Sequence, residues 1–125
     1  MRNKFAISTA CYLLHENKVL FIKFHQKWGK KYAPIGGKME KTETPTECII
    51  REFKEETNLT LIDPKLKGMA YWKDEEEGII FIYIATQFEG NLIESEEGRI
   101  EWIEVEKIEE LNQFDMNRKF SKYIF

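Results

Sequence analysis

The chain has 125 residues, 42% hydrophobic and 14% aromatic, which suits one domain over residues 1–125 with roughly two thirds of its unfolded surface buried. A net charge of -3 argues against a nucleic-acid polymer as partner, and no run approaches the ~20 apolar residues that cross a membrane. Met1-Arg2-Asn3-Lys4 lacks the apolar core of a secretory signal, and Cys11 and Cys48 show no disulfide or metal-ligand spacing, so a reduced, cytoplasmic protein is expected.

In chain order, Phe5 to Leu14 is rich in β-formers and reads as a strand, followed by the polar turn His15-Glu16-Asn17-Lys18. Val19 to Phe24 completes a hairpin. From Lys18 to Lys38 there are lysines and no acid, in a chain that is acidic as a whole. Such a segment is either a solvated loop or a surface for phosphates. On the second reading Lys23, Tyr32 and Lys38 are candidate substrate contacts, and Trp28 or Tyr32 faces a base. Ala33-Pro34-Ile35-Gly36-Gly37 follows, and its paired glycines let backbone come close to a ligand.

A helix is expected next. Thr44 caps from its side chain, Pro45 suits the first helical position and Glu47 closes a capping box. Asn58 stands where a left-handed residue ends a helix. Ile49, Ile50 and Phe53 share one side, while Glu52, Glu55 and Glu56 crowd a neighbouring one. Like-charged pairs at that spacing cost roughly 0.2–0.5 kcal/mol each. A solvated acidic face accepts that cost. A divalent cation reverses its sign, and oxygen donors suit Mg²⁺ or Mn²⁺.

Thr60-Leu61-Ile62, Leu66 to Trp72 and Gly78 to Phe88 read as strands, with Asp63-Pro64 and the solvated acidic tip Lys73 to Glu77 as turns. Glu89-Gly90-Asn91 turns again, and the polar loop Glu94-Ser95-Glu96-Glu97-Gly98 leads to an alternating strand, Arg99 to Val105. Glu106 to Leu111 forms a short helical turn, and a last helix runs through Tyr123. Strands around one central helix, plus a C-terminal helix, give an α/β/α layered sandwich with a mixed, partly barrel-like sheet.

Gly37, five residues, Glu43, seven residues, Arg51-Glu52-Phe53, one residue, Glu55-Glu56, one residue, Asn58-Leu59 resembles the box of the Nudix hydrolases. Asn58 stands in place of the usual glycine and supplies the same left-handed turn. Thr42 stands where many members place a glycine. The resemblance implies the same sandwich fold and hydrolysis of a nucleoside diphosphate-linked substrate with Mg²⁺, or Mn²⁺ as substitute. It implies that Glu52, Glu55 and Glu56 bind metal, that Arg51 and Glu43 hold loop and helix together, and that Glu52 is one candidate general base. Glu97 is the other, and a further metal ligand, because its loop resembles that of oxidised-purine nucleotide hydrolases, followed by a strand tryptophan like Trp102; Glu96 competes with it.

The same likeness points to a nucleoside triphosphate pyrophosphohydrolase of the MutT kind, giving monophosphate and pyrophosphate, with 8-oxo-dGTP as one substrate. Phe114 and Asn117 lie where base-stacking and hydrogen-bonding residues come in that alignment, with Gly36 and Gly37 as backbone contacts. Ala33 stands where vertebrate members have a base-reading asparagine. A nucleotide-sugar or other dinucleotide diphosphatase remains open, as does a catalytically silent nucleotide-binding regulator.

Overall fold

The computed structural model describes residues 5–25, 27–73, 75–94, 96 and 98–125. Strand β1 is Phe5–His15 and β2 is Lys18–Phe24. Glu16 and Asn17 between them both take left-handed backbone, with φ of 52° and 63°, as a tight two-residue hairpin requires. Two short strands follow, β3 at Tyr32–Ala33 and β4 at Ile35–Lys38. Helix α1, Pro45–Thr57, leads to β5 at Thr60–Ile62. The long hairpin of β6, Lys65–Lys73, and β7, Glu77–Ala85, is followed by β8 at Gln87–Glu89 and β9 at Gly98–Glu104. A 3₁₀ segment, Val105–Glu110, and helix α2, Asp115–Ile124, close the chain.

β1 is the axis. Along one edge it runs parallel to β7 from Phe5↔Glu77 to Leu13↔Ala85. On the other edge Ser8 to Cys11 pair with β4, and Leu14 and His15 pair with β2. β2 carries β9 along its length. The sheet therefore divides where β4 and β2 share one side of β1, which gives the mixed, partly barrel-like form. α1 covers one face and α2 the other. Alternation along β1 serves both: Cys11 and Leu13 join Ile49, Phe53 and Leu59 of the α1 side, while Tyr12 joins Phe21, Ile82, Ile108 and Phe120 of the α2 side. Each such large side chain contributes about 1.5–3 kcal/mol by burial.

One expectation about strands needs correcting. Gly78 to Phe88 is not one strand: β7 leaves β1 after Ala85, and β8 pairs instead with β5 through Leu61↔Phe88. The segment entering the box forms β4, where Gly36 and Gly37 pair with Ala10 and Thr9. Among the described residues no helix is long and apolar enough to cross a membrane.

Candidate active site

The start of α1 is locally determined. The Glu47 N–H donates to Thr44 Oγ1 at 3.1 Å and the Thr44 N–H donates to Glu47 Oε1 at 2.8 Å, so the capping box closes both ways. At the other end Asn58 has φ 67° and its N–H reaches Lys54 O at 2.9 Å. Its side-chain amide donates to Asn91 O at 3.0 Å, tying the helix end to the turn after β8. Ile49 and Phe53 are fully buried. That anchoring fixes which way the acidic face points.

Arg51 occupies the centre of that face. Its Nε and Nη2 donate to the two oxygens of Glu43 at 2.9 and 2.7 Å, and Nη2 also reaches Lys38 O at 3.2 Å. Its Nη1 donates to Glu52 Oε1 at 2.8 Å and to Glu55 Oε1 at 3.0 Å. The bidentate pair with Glu43, itself held by the Glu40 N–H at 2.9 Å, fastens the loop before α1 to the helix. Such fork-to-carboxylate geometry is both strong and directional. The Arg51 hydrogen bonds, with the Glu40 N–H behind them, hold the Glu43 carboxyl down at about 2. Burial pushes Glu52 above the ordinary glutamate range, against the opposing pull of Arg51.

Gly37 brings β4 to this face. A side chain there would occupy the place of the Glu52 carboxylate. Gly36 lies equally close to the backbone of β1 at Thr9 and Ala10. Beyond these glycines a cavity of about 490 Å³ opens, walled by Phe24, Ala33, Pro34, Phe114, Met116 and Asn117. The cavity is mainly apolar, and Asn117 supplies the amide among its described lining residues.

The candidate residues therefore fall into separate places. Glu43, Arg51, Glu52 and Glu55 converge, whereas Gly36, Gly37, Phe114 and Asn117 border the cavity. Glu56 is on α1. Lys23 and Tyr32 lie outside that cavity, with the Lys23 ammonium 5.4 Å from the Tyr32 ring centroid and the Tyr32 hydroxyl donating to Glu101 at 3.5 Å. Lys38 borders a different hollow with Phe5 and Glu76. Glu97 lies outside the described residues, as does the Trp28 side chain. Sequence reasoning missed Phe24 and Met116 as cavity walls; a large apolar residue ending a strand, or one half exposed in the first turn of a helix, is the only local signal for them.

Among the described residues no three His, Cys, Asp or Glu side chains gather as a metal cluster. Glu52 and Glu55 instead converge on the single cationic Nη1 of Arg51. Carboxylates that share one cation already, with no side chain at Gly37 to crowd them, fit a hard divalent cation by their all-oxygen chemistry.

Comparison with known proteins agrees. A family model for the NUDIX domain matches residues 4–124, and the chain belongs to the Nudix hydrolase family. It is 38% identical over 110 residues to the uncharacterized Nudix hydrolase YvcI of Bacillus subtilis, covering 82% of this chain and 68% of that protein. The crystal structure of a MutT protein from Bacillus halodurans superposes with a TM-score of 0.87 at 29% identity, over 95% of this chain and 81% of the other. A MutT Nudix hydrolase from Burkholderia pseudomallei shares the fold at TM-score 0.85 and 18% identity, over 98% and 100% of the two chains. The protein is thus a MutT-like Nudix hydrolase, an enzyme acting on phosphoanhydride bonds of nucleoside diphosphate-linked substrates. Hydrolases of this family generally use divalent metal ions.

Proposed function

We propose that this chain, as a single domain, is a Mg²⁺-dependent nucleoside triphosphate pyrophosphohydrolase that releases monophosphate and pyrophosphate, with oxidised purine nucleotides such as 8-oxo-dGTP in its range. The observation that carries this reading is the juxtaposition at β4. One side of Gly37 meets the Glu52 carboxylate and the other borders a cavity of about 490 Å³ walled by Phe24 and Phe114. That volume lies within the range of small-ligand pockets, and aromatic walls with one amide suit a planar base.

Glu52, Glu55 and Glu56 would hold the cation, joined by Glu97. When bound, it supplies positive charge that polarises phosphoryl oxygens and makes nearby water more acidic. The chain's own residues do the rest. Glu52, buried enough to have a raised proton affinity, is one candidate to take the proton of the attacking water, and Glu97 is the other. Arg51 and Glu43 orient the acidic face. Phe114 and Phe24 face the base, and Asn117 offers both a donor and an acceptor to its edge. Ala33 offers no polar group, so among the described side chains that line the cavity Asn117, with the hydroxyls of Ser8 and Thr9, supplies the polar contacts that tell one base from another. Both cysteines are free, buried thiols, and a cytoplasmic setting belongs to the same proposal.

The test is a panel of nucleotides with Mg²⁺, scored by kcat/KM and by product. The proposal expects 8-oxo-dGTP to exceed dGTP, with pyrophosphate as co-product. Equal efficiency for all bases would remove the oxidised-purine specificity and leave a general nucleotide pyrophosphatase. Release of single phosphates would contradict the cleavage position.

A further inference from the structure

A second cleft adjoins the apolar cavity, and Phe24 stands in the wall of both. Its volume is about 250 Å³ and its remaining wall is Lys23, His25, Lys30 and Arg99. No acid is among the described residues that line it, although acids outnumber lysines and arginines by 22 to 19 in the chain. An even surface mixture would not produce this.

Local structure works to gather these groups. Lys23 of β2 and Arg99 of β9 are direct cross-strand partners, an arrangement of like charges that opposes strand pairing. Neither forms an ion pair with a described residue. Lys30 has left-handed backbone, φ 58°, directly after Gly29 at φ 68°. A non-glycine residue there is uncommon and marks a position held by its surroundings. The holding contacts are present. The Phe24 N–H donates to Lys31 O at 3.0 Å, the Tyr32 N–H to Asn112 O at 2.7 Å, and Asn112 Nδ2 to Gly29 O at 3.3 Å. A merely solvated loop needs neither the opposed like charges nor the left-handed lysine. Glu101, two residues along β9 from Arg99, is engaged by the Tyr32 hydroxyl.

A concave wall of donors with no acidic group selects an anion, and its size admits one or two tetrahedral groups. Given the nucleotide reading above, on which this inference rests, we propose that Lys23, His25, Lys30 and Arg99 form a phosphate-binding cleft apart from the acidic face of α1. Its ligand is a phosphate group, either carried by the substrate or free as released pyrophosphate. Arginine and lysine together suit that charge, arginine by its planar fork and lysine as a point charge.

The experiment measures pyrophosphate binding to the whole chain by calorimetry without divalent cation. It compares the wild type with the double variant Lys30→Gln, Arg99→Gln, with Arg99→Lys in the Lys30→Gln background as a charge-restoring control. Thermal unfolding of each verifies folding. Wild-type binding should weaken about tenfold or more in the double variant, as expected for losing charge-assisted hydrogen bonds, and Arg99→Lys should recover part of it. The source of the phosphate is then read from kinetics. A higher KM for nucleoside triphosphate assigns it to the substrate, and weaker inhibition by pyrophosphate at unchanged KM assigns it to the product. No wild-type binding, or equal Kd in wild type and double variant, overturns the cleft. Wild-type hydrolysis of the nucleotide panel decides the nucleotide reading separately, so either can fail without the other.

Discussion

Replacing Gly37 by alanine isolates the contact between β4 and Glu52. The added Cβ would lie 2.7 Å from Glu52 Oε1 and nearer still to Cδ and Oε2, where ordinary contact begins at 3.4 Å. The carboxylate has to retreat by about 1 Å, and a displacement of that size at a reacting group can cost about 10²-fold in rate. Stability should fall modestly. Loss of the charge-assisted Arg51–Glu52 hydrogen bond removes about 1.5–3 kcal/mol, while alanine restricts the unfolded chain and returns about 0.4–1 kcal/mol. Gly36→Ala is the comparison in which the clash is with backbone and the stability loss is larger. Its Cβ would meet backbone, 2.7 Å from Ala10 Cα, and neither paired strand yields easily. Overpacking of this kind costs about 1–3 kcal/mol, a fall in Tm of about 4–12 °C. Thermal unfolding and kcat/KM on one nucleotide, measured for both variants, check the pair. Gly37→Ala with wild-type kcat/KM would refute the placement of Glu52 in the chemistry.

Three more expectations follow from particular side chains. Glu43 is held at about 2 against an ordinary value of 4.5, so its contribution to stability is complete above pH 4.5 and is lost as pH falls towards 2; the Tm difference between wild type and Glu43→Gln should close across that window and stay constant above it. Asn117→Ala should lower kcat/KM several-fold for the preferred base, the effect of one hydrogen bond, and flatten the ratio between bases, while an unchanged ratio would take Asn117 out of base reading. For the general base, Glu97→Gln should reduce kcat by about 10²-fold or more with the Mg²⁺ dependence nearly unchanged if Glu97 is the base, and should raise the Mg²⁺ requirement if it acts as a ligand; Glu52→Gln should alter both, and full activity of Glu97→Gln would leave the role to Glu52.

What the sequence made legible was what is decided locally. Thr44, Pro45, Glu47 and Asn58 set the ends of α1 through contacts within a few residues, and the structure has those contacts. The sandwich followed from the same kind of pattern, alternation in β1 and periodicity in α1. Pairing across distance was less legible. Gly36 and Gly37 have little strand propensity of their own, and β4 exists because β1 supplies a ladder for it. Thr86 carries no signal that β7 should end there; the break reflects β5, which follows α1 and takes up Gln87 to Glu89. The cavity is the extreme case. Phe24 and Met116 lie far apart in the chain and share a wall only after β2 and α2 have been placed. Lys23 was legible as part of a basic segment, but its cross-strand partner Arg99 was not.

The central claim is that the acidic face of α1 serves divalent-dependent cleavage of a nucleotide phosphoanhydride. Its most direct measurement is the rate of monophosphate and pyrophosphate release as a function of Mg²⁺ concentration, in the wild type and in Glu56→Gln. Without the cation there should be no turnover; the wild type should show saturable activation, and the variant a Mg²⁺ requirement at least about tenfold higher, with its thermal unfolding intact. Turnover by the wild type after chelation of divalent ions, or an unchanged Mg²⁺ dependence in Glu56→Gln, would contradict it.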